Sequence, residues 1–70
     1  MGWIVIFRVY DQEAMVFIRD QQRICANSTD ADKTLEQFNT IVKNNKWDDN
    51  PKYTVTLKKE EKEVEIKPHF

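Results

Sequence analysis

The sequence predicts an α+β fold in which β-β-α-β-β elements build a four-stranded mixed sheet, order 2-1-4-3, with one helix packed on one face. Three observations predict it. Apolar and polar residues alternate in "WIVIFRVYDQEAMVFIRD" and in "KYTVTLKKEEKEVEIKP", which is the period of a strand. Between them Ala31, Leu35, Phe38 and Val42 recur at steps of four, three and four, which is the period of a helix. The 70 residues make one compact domain, 1–70, of a size that buries only about 60% of the surface exposed on unfolding.

The opening hairpin turns around Asp11 and Gln12. With a two-residue or four-residue loop, Trp3, Val5, Phe7 and Val9 share a side with Ala14, Val16 and Ile18, and this side is expected to face the helix. The reverse side then carries Ile4, Ile6, Met15 and Phe17 together with Arg8, Tyr10, Glu13 and Arg19. Gly2 is the only glycine, so the Asn-Gly and Asp-Gly turns that place two residues at positive φ are closed to both hairpins. Longer loops built on type I turns are expected instead. In an alternative that changes the topology but not the α+β class, "QQRICAN" forms a third strand before the helix, after a turn at Asp20 to Gln22.

The helix starts near "STD", where Ser28, Thr29 or Asp30 can cap the free amide groups and Asp30 and Asp32 face the positive end of the dipole. Ile41 widens its apolar stripe. It ends at Lys43 to Lys46, where an Asn is expected in the left-handed capping conformation. Asp48 to Pro51 lead into the second hairpin. There a loop at Lys59 to Lys62 sets Leu57 opposite Val64 and Val55 opposite Ile66, with Lys58 facing Glu63 on the wet side. Order 2-1-4-3 puts the most apolar strand, Ile4 to Val9, in the middle, parallel to the last one. This element order is similar to that of the small immunoglobulin-binding domains of bacterial surface proteins. No residue motif is shared, so the similarity is architectural and implies nothing about antibody binding.

No catalytic, cofactor or metal site emerges. His69 has no Cys, Asp or Glu at ligand spacing, and Cys25 has neither a second thiol nor a nearby histidine to act as base, which makes it a small buried apolar group. Asp48 and Asp49 lack the spaced oxygen ligands of a calcium loop, and no glycine-rich segment exists to cradle phosphate. Asn27-Ser28-Thr29 matches a glycosylation acceptor but reads more economically as a helix cap. Eleven basic and twelve acidic residues give a net charge of −1, so no overall field attracts nucleic acid or an anionic membrane. With no leader and no apolar run long enough to span a bilayer, a natural chain is expected to be soluble and cytoplasmic.

The expectation for function therefore rests on the second apolar side of the first hairpin. Ile4, Ile6, Met15 and Phe17, with Arg8, Tyr10 and Arg19 beside them, form a candidate protein-binding surface, either for a second copy of the chain or for another protein. The bland reading of the same residues is a minor core closed by Trp47, Ile24 or Phe70. A different class of function uses Tyr10 and Phe17 to stack single-stranded nucleic acid between Arg8 and Arg19. Finally, the regular Lys and Glu alternation of the last third fits a designed or redesigned sequence without biological activity, although the scarce glycine and scattered Asn and Gln do not.

Overall fold

A computed structural model of the chain describes residues 2–62, and it is a small α+β structure: strand β1 (Gly2–Asp11), strand β2 (Val16–Cys25), helix α1 (Ser28–Asn44) and strand β3 (Tyr53–Lys62). The described strands form one sheet of order β2-β1-β3, antiparallel throughout. The expected order 2-1-4-3 is not what forms, because β3 and β2 occupy both edges of β1 and leave none for a parallel partner. Residues Val64 and Ile66, expected in the fourth strand, and Phe70, expected as a cover, lie outside the described residues.

The expected loop at Lys59 to Lys62 is instead the continuation of β3. Leu57 pairs with Phe7, Lys59 with Val5, and Lys62 with Gly2. The polar run stays extended because each side of it finds a place for its charges. Toward the helix, the Lys59 stem lies along the core while its ammonium sits 5.1 Å from the Trp3 ring, donates to Ser28 Oγ at 3.2 Å and pairs with Asp32. On the opposite side, Lys58 and Lys62 flank Glu60, at 3.0 and 3.9 Å.

The β1–β2 connection is a four-residue loop, Gln12 to Met15, between the paired residues Asp11 and Val16. Asp11 Oδ1 accepts from the amides of Glu13 and Ala14, both at 3.0 Å, and Met15 takes φ 58°, a left-handed position that a glycine would otherwise fill. Ala14 and Met15 therefore belong to the turn and not to the two sheet faces expected of them. A β-bulge follows at once: Tyr10 pairs with Phe17 but Val9 pairs with Arg19, leaving Ile18 without a partner. Past that point the phase of β2 is reset, so Arg19, Gln21, Arg23 and Cys25 share the side of Val9, Phe7, Val5 and Trp3. The alternative turn at Asp20 to Gln22 does not form, since β2 runs unbroken through it.

Helix α1 crosses this side. Its cap is Asn27, one residue before the expected candidates: Asn27 Oδ1 accepts from the Asp30 amide at 2.8 Å. At the other end Asn45 is right-handed, at φ −93°, and Lys46 rather than an Asn takes the left-handed φ of 56°. Ala31, Thr34, Phe38 and Val42 are buried, joining Val5, Phe7, Val9 and Cys25, with Leu35, Ile41, Tyr53, Val55 and Leu57 packed around them. The Phe7 and Phe38 rings lie 4.8 Å apart, and Trp47 closes the far side 6.4 Å from Phe7, so it serves this core and not the opposite face. The Thr34 hydroxyl donates to the Asp30 carbonyl at 2.9 Å and lies 3.5 Å from the Cys25 thiol, which is how a polar residue enters the apolar stripe without an unmet hydrogen bond.

Candidate interaction surface

The side of the sheet away from α1 is laid out by the two registers. Across it, Ile4 stands between Ile24 and Glu60, Ile6 between Gln22 and Lys58, Arg8 between Asp20 and Thr56, and Tyr10 between Phe17 and Thr54. Five of the seven expected interaction residues thus share one face: Ile4, Ile6, Arg8, Tyr10 and Phe17. Arg19 is on the helix side because of the bulge, and Met15 is in the turn.

Within that face, accessibility falls from the edge to the middle. Ile6 is only 7% exposed although it stands outside the helix-side core cluster, so it offers little to a partner. Its cross-strand neighbours Gln22 and Lys58 have long side chains suited to covering an isoleucine in a central strand. Ile4 and Tyr10 are half-buried, whereas Phe17 is 55% exposed.

At the turn end the Tyr10 and Phe17 rings meet edge to face, 4.9 Å apart at 67°. With Arg8, Thr54 and Thr56 they line an open concavity of about 370 Å³. The Arg8 guanidinium is not free there, since its Nε donates to Asp20 Oδ1 at 2.9 Å. A second concavity of about 360 Å³ lies between α1 and β3, lined by Leu35, Glu36, Asn39 and Leu57. Among the described residues no group of three or more His, Cys, Asp or Glu side chains could hold a metal, and no helix is long and apolar enough to cross a membrane.

The residues that pattern reading left out of the candidate surface are Val16, Ile18 and Ile24. With Met15 and Phe17 they are the exposed large apolar side chains of the described chain. All five lie on β2 or in the turn before it, and they do not share a face: Phe17 and Ile24 are away from the helix, Val16 is on the helix side beside Asp11, and Ile18 is the bulged residue. What they share is the outer edge of the sheet. Strict alternation could not find this edge, because the bulge changes the phase in mid-strand and no glycine announces it.

Comparison of the chain with protein-family models, with curated proteins and with solved structures finds no match.

Proposed function

We propose that this chain is a small protein-interaction module, without catalytic chemistry, that binds another polypeptide through strand β2 and the turn leading into it. One observation carries the reading: the exposed large apolar residues of the described chain are gathered on one edge strand of the described sheet and the last residue of the turn before it. Apolar side chains scattered singly over a surface need no explanation, but Met15 to Ile18 in succession, with Ile24 further along the same edge of the described sheet, do. Full burial of such a side chain contributes about 1.5 to 3 kcal/mol, reduced here because each is partly covered already. The total is of the same order as the entropic cost of association, about 4 to 15 kcal/mol, so backbone pairing along β2 has to add to it and the binding is weak and reversible.

Panning a random peptide library tests this. Binders recovered on the native chain should be lost on the folded variants Phe17→Lys and Ile24→Lys. A library that enriches nothing, or enriches peptides indifferent to both changes, overturns the reading. A nucleic-acid role has less support: Arg8 is held by Asp20, Arg19 stands on the other side of the sheet from Tyr10 and Phe17, and the net charge is −1.

A further inference from the structure

We infer that the β2 edge takes an extended segment of a partner protein in which acidic and apolar residues alternate, added to the sheet as a further strand. The inference rests on the interaction reading above and names the chemistry of the partner.

The backbone comes first. The described strands leave two outer edges, on β2 and on β3. Alternate residues of an antiparallel edge strand turn both N–H and C=O outward, so ten residues offer about five such positions to an incoming strand. The two edges differ in what guards them. On β3 the stretch Lys58 to Lys62 is entirely charged, which is how exposed edges discourage pairing. On β2 the charges Arg19, Asp20 and Arg23 are preceded by Val16, Phe17 and Ile18, all exposed, whereas the apolar residues of the uncharged half of β3, Tyr53, Val55 and Leu57, are packed against the core.

The side chains then select the partner. A strand laid beside β2 places alternate residues on the two sides of the sheet, where opposed side chains meet at about 4.5 to 5.5 Å between Cβ atoms. On the helix side it meets Arg19, Gln21 and Arg23. Among the described residues neither arginine has an ion pair: Arg19 reaches only Gln21 Oε1 at 3.4 Å, and the Arg23 guanidinium lies 5.8 Å from the centre of the Phe38 ring. On the other side the incoming strand meets Phe17 at one end and Ile24 at the other, with Asp20, already engaged by Arg8, and Gln22 between them. Carboxylates are therefore wanted on one side of the incoming strand and, opposite Phe17 and Ile24 at its two ends, apolar groups on the other. A second copy gains less from the arginines: in the register centred on Gln22 each Arg23 meets a Gln21 of the copy and no carboxylate, and the two registers that follow are repulsive. Antiparallel pairing of β2 with itself centred on Gln21 sets Arg19 against Arg23 of the copy, and centring on Asp20 sets two aspartates face to face, both unfavourable.

The test uses two end-blocked, fluorescein-labelled peptides, one alternating Glu with Val and one alternating Lys with Val, read by fluorescence anisotropy and by amide shifts of the labelled protein. The Glu peptide should bind about tenfold or more tightly than the Lys peptide, a difference of about 1.4 kcal/mol, and should move β2 amides. The double variant Arg19→Glu, Arg23→Glu should invert the preference, and Arg19→Gln, Arg23→Gln should remove it. Absence of binding, equal affinity for both peptides, or shifts confined to β3 overturns the inference. So do β2 amides that respond to protein concentration alone, or contacts in the free protein between β2 and residues 63–70, since the edge would then have another occupant. Library binders that need Phe17 and Ile24 but show no acidic alternation leave the interaction reading standing while this inference falls.

Discussion

Lys59 faces the helix from a position that, by alternation, belongs to the core, and its side chain settles the conflict by being apolar for most of its length. The residue pairs with Val5 across the ladder, and the ammonium lies over the Trp3 ring and reaches the first turn of α1, beside Ser28 and Asp32. A half-exposed ion pair contributes at most about 1 kcal/mol, so Lys59→Met, which keeps the stem, should change stability in urea by no more than about that amount. Lys59→Glu, which sets like charges together at the same place, should cost clearly more. On the wet side of the same strand, the hydrogen bond and charge of Lys58, with a smaller contribution from Lys62, hold the Glu60 carboxyl below the usual glutamate range. A group whose pKa is lowered by folding stabilises the folded state above its unfolded pKa, and that contribution disappears as pH falls through the folded value. NMR titration should therefore place Glu60 below an ordinary glutamate, and Lys58→Met should move it back up. At the helix start, Asn27→Ala should cost about 0.5 to 2 kcal/mol in thermal or urea unfolding, and Asn27→Asp should recover only part of it, since aspartate still caps the Asp30 amide but sets a carboxylate against that of Asp30, to which Asn27 Nδ2 donates at 3.3 Å.

At the scale of elements, the bulge in β2 decides which residues meet the helix. Removing Ile18 should restore a regular ladder, because Phe17 and Arg19 would then pair with Tyr10 and Val9 as consecutive residues on the sides they already occupy. The shortened chain is expected to fold, with the dispersed amide spectrum retained. Removing Gln21 instead flips either everything before it or everything after it, turning Cys25 out of the core or breaking the Tyr10–Phe17 contact, and should unfold or severely loosen the hairpin. The same feature marks the limit of what the sequence made legible. The α1 stripe, the strand from Tyr53 to Leu57 and the burial of Cys25 follow directly from period and composition, because one side of each is dry. The bulge, the Thr34–Cys25 contact and the extension of β3 through "KKEEK" do not, since each depends on a partner far away in the chain. A run of Lys and Glu reads as a turn until Asp32 and the Trp3 ring are known to lie beside it. Five of the seven candidate surface residues could be grouped by alternation alone, while Arg19 and Met15 were carried elsewhere by the turn and the bulge.

For the molecule as a whole, the question is which apolar residues hold it together and which are spare. The helix-side core is small, so Phe7→Ala or Phe38→Ala, each removing about 3 to 5 kcal/mol, should leave little folded protein at ambient temperature. The helix-free face divides between the two categories. Ile6→Lys, which alternation alone would have allowed, should unfold the chain, because a side chain 7% exposed in the central strand cannot be replaced by a charge without leaving that charge desolvated or the sheet opened. Phe17→Lys and Ile24→Lys should do neither, because at 55% and 64% exposure on an edge strand a lysine head reaches water while its stem lies where the apolar group lay. Thermal melts of the three variants check this division. Phe17→Lys and Ile24→Lys should melt within a few degrees of the native chain, whereas Ile6→Lys should show no cooperative transition. A folded Ile6→Lys would extend the accessible apolar surface from the β2 edge across the sheet to β1, and a partner would then lie over the face instead of beside the strand. An unfolded Phe17→Lys would move the Tyr10–Phe17 pair from the binding surface into the set of contacts that maintain the hairpin.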